Sequence, residues 1–270
     1  MARSPSIRKL MAVTRGVSPS MADCELTFSP RVPIDIEGAR TQHRAYEECL
    51  ERLGCRVIQL ASDPRLPDSV FIEDTAVVLN EIAIMAHSGA RSRRAETKAV
   101  SQEIARHRKV TRIKPPATLD GGDVLVVGRS VFVGLSRRTN QAGLKQMDSL
   151  LTPLGYRVTG VPVLGALHLK SAVTQVADRT LLVNRNWTDA SVFERTADLI
   201  DVAPGEPHAA NALLVGDVVV YPAAHPQTRH RLDERGIKVM CLDISDLAKA
   251  EGGVTCCSLI FRETEGVDRA

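Results

Sequence analysis

The sequence predicts an α/β protein in which five ββαβ units close into a ring, the N- and C-terminal strands pairing in the last of them. Three patterns point there: paired apolar runs that recur, a helical-period segment and a β-branched run after each pair, and one unmatched set of similar segments at the chain ends. The paired runs occupy residues 71–85, 119–135, 167–183 and 209–221. Their length and composition, with turns at Asn80-Glu81, Gly128-Arg129, Asp178-Arg179 and Gly216-Asp217, are those of β-hairpins.

After the first hairpin come a helical-period segment at 93–107 and a strand-like run at 110–113. The second is followed by 141–154 and 157–161, the third by 189–197 and 199–202, and the fourth by 227–235 and 237–242. The units start about 40 to 50 residues apart. Strand-like runs at 254–261 and 7–13, a helix-like segment at 39–53 and a strand-like run at 56–60 supply the fifth unit if the two ends pair. A ring removes the sheet edges that separate small sheets would leave exposed. The alternative, an open doubly wound sheet, puts one strand between successive helices, whereas two come between them here.

The chain has 270 residues, of which 44% are hydrophobic and 25% charged, within the range of globular proteins at about 45–50% and about 25%. Residues 1–270 read as a single catalytic domain. Aromatics at 3% and a net charge of +3 argue against a nucleic-acid partner. Apolar stretches such as 124–127 and 212–215 are strand-sized, so no membrane span is expected. Arg8 and Lys9 precede no apolar signal region, which makes the cytoplasm the expected compartment. The six cysteines, Cys24, Cys49, Cys55, Cys241, Cys256 and Cys257, contain no C-x-x-C pair, so free thiols are expected and a structural metal is not.

Aligning the units on the first strand of each hairpin brings polar residues to one repeat position: Glu73-Asp74, Asp120 and Asp123 around Gly121-Gly122, His168, Asn211, and Cys256-Cys257. Singly these have ordinary explanations, such as a tight turn in which the two glycines supply positive φ, a satisfied core histidine or an inert buried thiol. Jointly, in a ring, they converge on one pocket. A thiol beside a histidine is a nucleophile in its thiolate form. Carboxylates beside it would oppose ionisation unless the substrate were itself a cation, and a planar guanidinium fits, since acidic groups grip its N–H donors while its carbon faces the sulfur. The expected reaction is attack of Cys256 on a guanidinium carbon, departure of an amine protonated by His168, and release of a ureido product by water. If residues 254–261 form a strand, alternation lets only one of the two adjacent sulfurs face the pocket, and Cys256 is the choice.

Seven motifs carry a family resemblance: residues 66–74 (LPDSVFIED), 92–96 (SRRAE), 119–128 (LDGGDVLVVG), 133–143 (VGLSRRTNQAG), 167–171 (LHLKS), 209–211 (AAN) and 252–260 (GGVTCCSLI). Across nearly the whole chain the sequence resembles the dimethylarginine dimethylaminohydrolases of the guanidino-group-modifying pentein superfamily. The resemblance implies a five-bladed α/β propeller and hydrolysis of Nω-methylated arginine, a small-molecule substrate, to citrulline and a methylamine without a cofactor. By matched motif, Cys256 resembles the nucleophile, His168 the general acid/base and Asp120 the orienting carboxylate, where some members have Glu and others Asp. Asp68, Glu73 and Asp74 resemble the guanidinium- and loop-contacting group, Arg93 and Arg138 the pair on the substrate α-carboxylate, and Leu26, in segment 17–33, the lid residue. The resemblance implies no catalytic metal, although zinc inhibits some members at the Cys and His. A homodimer is the assembly allowed for.

Other readings are a sibling hydrolase of free arginine or another guanidine, an amidinotransferase, and a non-catalytic pentein that binds a cationic ligand or partner. The matching motifs contain no helix N-terminus or lysine to lower the thiol pKa, so Cys256 is expected to stay protonated near neutral pH, with Asp120 and Asp74 opposing its ionisation.

Overall fold

The structure is a computed structural model that describes residues 9–263. The chain opens with β1 (Leu10–Arg15), α1 (Ile36–Arg52) and β2 (Cys55–Leu60). β3 (Ala76–Val78), β4 (Ala83–Met85), α2 (Thr97–Ile104) and β5 (Val110–Arg112) follow, then β6 (Val124–Val127), β7 (Ser130–Leu135), α3 (Gln141–Leu151) and β8 (Arg157–Pro162). Next come α4 (Leu169–Ala172), β9 (Val173–Ala177), β10 (Thr180–Val183) and β11 (Asp198–Asp201). β12 (Leu213–Val215), β13 (Val218–Pro222), α5 (Pro226–Glu234), β14 (Lys238–Leu242), α6 (Ser245–Ala248) and β15 (Leu259–Arg262) complete it.

Among the described residues the strands form five three-stranded sheets: β3-β4-β5, β6-β7-β8, β9-β10-β11, β12-β13-β14 and β15-β1-β2. Each has one ladder pattern, the middle strand antiparallel to the first and parallel to the third. β15 and β1 thus stand to each other as the two arms of each hairpin do, pairing Leu10 with Arg262 and Val13 with Leu259. The expected N-terminal strand was 7–13; Ile7 and Arg8 lie outside the described residues, and the strand runs on to Arg15.

The middle strands read as unbroken apolar runs because both of their faces are buried. In β10, Leu181 and Val183 enter one apolar cluster with Phe132 and Val173, while Leu182 enters another with Val219 and Tyr221. In β1, Met11 and Val13 pack with Ile72 and Met85, and Ala12 packs with Tyr46 and Val220. In β7, Val131 and Val133 join Ile84 and Val77, and Phe132 faces away to meet Phe193 edge-on at 4.8 Å. Period-two alternation therefore stitches each unit to the next. Truncating a doubly enclosed residue such as Leu182 to Ala would cost about 2–5 kcal/mol. Residues of all five first strands line one cavity of about 270 Å3.

Two expected elements differ. The helix expected at 189–197 is only a 3-10 turn, Ala190–Val192, capped by the Asp189 side chain. Within 189–197 the one fully buried large side chain is Phe193, so a single turn seats the segment before β11 begins at Asp198. The run expected to be a strand from 254 starts only at Leu259; Val254–Cys257 is a turn in which Cys256 N–H bonds Gly253 C=O at 3.1 Å. Similar short turns precede three of the other first strands, at Ile72–Thr75, Gly121–Asp123 and α4. The polar repeat position lies on turns rather than in strands. No described helix is long and apolar enough to cross a membrane.

Candidate active site

The turn before β3 carries Glu73 and Asp74, both buried, and Glu73 N–H donates to the carbonyl of Cys256 at 3.0 Å. The turn before β6 packs against it through Gly121 and Gly122. A Cβ on Gly121 would lie 2.0 Å from the Glu73 carbonyl oxygen, and one on Gly122 would lie 2.6 Å from Asp74 Oδ1 and 2.7 Å from His168 Nδ1. These glycines serve close approach, not the positive φ suggested for a tight turn, and Gly122 N–H donates to Asp74 Oδ1 at 3.0 Å.

His168 stands immediately before α4. Its Nε2 is 3.2 Å from Asp120 Oδ2 and its Nδ1 3.6 Å from Asp74 Oδ1. Burial alone would lower its pKa, but Asp74, the Asp120 bond and Asp123 outweigh it and raise the imidazole to about 9. The ring is therefore an imidazolium at neutral pH. Asp123 fixes the start of α4 by accepting from Leu169 N–H at 2.9 Å, and it also accepts the hydroxyls of Ser136 and Thr139, both at 2.6 Å. Burial pushes its carboxyl up to about 6.

Cys256 is half-buried, with Gly253 N–H 3.3 Å from its sulfur. Burial, then Glu73 and Asp74, push its thiol up to about 12. Glu73, not Asp120, is the leading neighbour in that effect, which corrects the pairing expected from sequence. Cys257 is buried in an apolar cluster. The sulfurs are parted by the turn, not by strand alternation, because residues 256 and 257 precede β15.

A lysine is present after all: Lys170 Nζ lies 2.5 Å from Glu73 Oε1. Thr255 hydroxyl donates to Glu73 Oε2 at 2.8 Å, and Asn211 Nδ2 donates to Thr255 Oγ1 at 3.0 Å and to the Lys170 carbonyl at 3.1 Å. These contacts tie the turns of four sheets together beside Cys256. Burial raises the Glu73 carboxyl despite the opposing Lys170.

The two arginines expected to act as a pair have different surroundings. Arg93 is bonded to Asp74 at 2.5 Å, to both carboxylate oxygens of Glu96 at 3.0 and 2.8 Å, and to the carbonyls of Phe71 and Asp68 at 3.0 and 3.3 Å. Its donors are spent within the protein. Arg138 is equally buried, yet its Nη1 has no hydrogen-bond partner among the described residues and lies 3.6 Å from Asp120 Oδ2. A buried guanidinium with a free donor is costly unless something else accepts from it. Asp68 faces segment 17–33, its carboxylate accepting from Glu25 N–H at 3.2 Å, and Leu26 packs half-buried against the cluster that contains Cys257. A cavity of about 300 Å3 opens beside Cys256, with Phe28, Ser29, Trp187, His208 and Asn211 in its walls.

Six acidic side chains (Asp68, Glu73, Asp74, Glu96, Asp120, Asp123) thus meet four basic ones (Arg93, Arg138, His168, Lys170). That excess of acid around a thiol matches a cationic substrate. Asp74, Asp120 and His168 could together hold a metal, their ligand atoms lying within 4.8 Å of one another. Their chemistry fits one poorly, because Arg93 already bonds Asp74, Arg138 stands beside Asp120 and His168 is protonated at neutral pH.

A family profile described as N,N dimethylarginine dimethylhydrolase, eukaryotic, matches residues 31–261. The chain is 39% identical over 254 residues to the N(G),N(G)-dimethylarginine dimethylaminohydrolase of Streptomyces coelicolor, covering 93% of this chain and 97% of that one. The chain belongs to this family. The dimethylarginine dimethylaminohydrolase of Pseudomonas aeruginosa is 34% identical over 238 residues, covering 87% of this chain and 93% of that one. A solved structure of DDAH from Pseudomonas aeruginosa, a cysteine-to-serine mutant complexed with citrulline, superposes with a TM-score of 0.90 at 33% identity, covering 94% of this chain and all of that chain. As a member of the dimethylarginine dimethylaminohydrolase family, the chain is an amidine hydrolase.

Cys256, Glu73, Asp74, Asp120, His168, Arg93 and Arg138 fall in one continuous network of contacts, while Asp68 and Leu26 border segment 17–33. Sequence reasoning gave no role to Lys170, although it stands in the 167–171 motif, nor to Thr255, which directly precedes Cys256. Glu96 stands in the 92–96 motif, where nothing in the sequence marks it as the partner of Arg93.

Proposed function

We propose that this member of the family hydrolyses Nω-methylated arginine to citrulline and dimethylamine or methylamine through a covalent intermediate on Cys256. The observation that carries this reading is a half-buried thiol whose pKa burial, then Glu73 and Asp74, push up to about 12, in a site whose acidic groups outnumber its basic ones. A bound guanidinium reverses the sign of the local field, and the thiol then releases its proton to solvent. The sulfur bonds to the guanidinium carbon, and His168, an imidazolium, gives its proton to the departing amine as the C–N bond breaks. Neutral His168 next takes a proton from a water molecule as its oxygen bonds to the same carbon. Cleavage of the C–S bond leaves the ureido product, and the hydroxyl proton returns the sulfur to its thiol form. Asp120 and Asp74 hold the ring from both sides and keep it cationic before each turnover. Arg138, with its free buried donor, is the residue of choice for the substrate α-carboxylate.

Three wider readings accompany this one. Residues 1–270 act as one catalytic domain. The five units close into a ring, a reading supported by the β15–β1 ladder and by the cluster that joins Met11 and Phe261 to Ile72 and Met85. The expected partner is the small-molecule substrate. Citrulline release from dimethylarginine, monomethylarginine and arginine, measured side by side, tests the substrate: the proposal expects the methylated compounds to be preferred, and faster turnover of arginine would contradict it.

A further inference from the structure

Segment 24–31 starts in an apolar cluster, with Cys24 buried and Leu26 half-buried, but its tip, Phe28 and Ser29, walls the Cys256 pocket with little apolar packing to hold it. Phe28 is 47% exposed even though it walls the cavity beside Cys256, and the Arg137 guanidinium lies over its ring at 5.4 Å. The Asp68 carboxylate holds the start of the segment at Glu25 N–H, and a second carboxylate holds its tip. Glu251 accepts from three consecutive backbone N–H groups: Thr27 at 3.0 and 3.2 Å, Phe28 at 2.6 Å and Ser29 at 2.5 Å. Successive amides that converge in this way form a concave anion site, filled here by a side chain 222 to 224 positions away in the sequence.

The backbone of Glu251 is unusual as well. Its φ is +58°, a left-handed conformation that glycine normally takes where a helix ends. It lies just beyond α6, with its N–H on the Ala248 carbonyl at 3.0 Å, and leads into Gly252 and Gly253. Gly253 N–H contacts the Cys256 sulfur. Glycine would take this conformation without strain, and among the described residues every hydrogen bond of the Glu251 side chain goes to those three amides.

We propose that Glu251 is a positioning residue that latches segment 24–31 over the pocket and couples its closure to the loop that presents Cys256. The latch rests on the reading that substrate is turned over at Cys256, but its direct readout is independent of which substrate that is. With the latch closed, the Cys256 sulfur and the cavity wall made by Phe28 and Ser29 are set together. With it open, the three amides are free to exchange and the sulfur is open to reagents.

The test compares the wild type with Glu251→Gly and Glu251→Gln in the full-length protein. Hydrogen exchange is followed at the amides of Thr27, Phe28 and Ser29, together with the rate of Cys256 alkylation by neutral iodoacetamide, the melting temperature, and kcat and KM for methylarginine. Glu251→Gly should speed exchange at the three amides and alkylation by tenfold or more and raise KM by a similar factor. Its melting temperature should not fall, since glycine suits φ +58°. Glu251→Gln, which keeps one acceptor oxygen without the charge, should lie between the two. Unchanged exchange at these amides in both variants would overturn the latch, as would a fall in melting temperature without faster exchange. A wild type that made no citrulline, with exchange still faster in the variants, would contradict the substrate reading and leave the latch supported.

Discussion

The two sides of the site are built from the same repeat but carry opposite chemistry. On the side of β3, β6 and β9 the turns bury Glu73, Asp74, Asp120, Asp123 and His168. On the side of β12 and β15 the equivalent positions hold an amide, Asn211, and a thiol, Cys256. In the proposed mechanism the charged side binds and protonates, while the neutral side presents the nucleophile. A thiol set among the carboxylates themselves would be harder still to ionise. Held across from them, it feels enough of Glu73 and Asp74 to stay protonated until a cation arrives between the two sides.

The largest expected effect breaks the neutral side. Cys256→Ser removes the attacking sulfur and should lower citrulline formation by more than about a thousandfold. Cys257→Ser puts a hydroxyl into an apolar cluster, so it should lower the melting temperature and retain most activity. The reverse outcome in a paired assay of the two variants would move the nucleophile.

A smaller effect separates the arginines within the charged side. Arg138→Lys should raise KM for methylarginine about 10- to 150-fold, the loss of roughly 1.5–3 kcal/mol expected for one charge-assisted bidentate contact. Arg93→Lys strands the carboxylates of Asp74 and Glu96 and should act mainly on stability, by about 3–5 kcal/mol if one buried partner is effectively lost. Steady-state kinetics and denaturant melts on both variants decide it; equal KM effects would restore the arginines as a matched clamp.

The smallest effect concerns pH. The folded-state pKa of His168, about 9, lies above its ordinary value of 6.5. The stability it contributes is therefore fully present below about pH 6.5 and is lost as pH rises through about 9. The same deprotonation removes the acid that serves the leaving amine, so kcat/KM should fall on the alkaline side near pH 9. In Asp74→Asn, which removes the leading anion beside His168, that limb should move to lower pH. An alkaline limb that Asp74→Asn does not shift would separate His168 from it.

Much of the fold was readable because the middle strands are apolar at successive positions and flanked by turns, as in 130–135 and 180–183. At 189–197 periodicity alone suggests a helix and does not reveal that one buried side chain, Phe193, seats the segment. The convergence of Glu73, Asp120, His168 and Cys256 was readable because they share a repeat position. The links between them were not: Lys170 and Glu73 are 97 residues apart, and nothing local to either residue signals the pairing. The division between Arg93 and Arg138 depends on the side chains that fill their donors, which the motifs do not specify.

The account rests most directly on a thiol that ionises only when substrate charge arrives. Thiolate absorbance of the wild type, corrected by the Cys256→Ser variant, can be followed across pH with and without a bound non-reactive guanidinium. The free protein should show no Cys256 thiolate at pH 7 or through the mildly alkaline range, consistent with a thiol pushed up to about 12, and the bound cation should shift ionisation to lower pH. A free-enzyme Cys256 that titrates well below pH 7 would contradict the account and indicate a thiolate–imidazolium pair formed before any substrate binds.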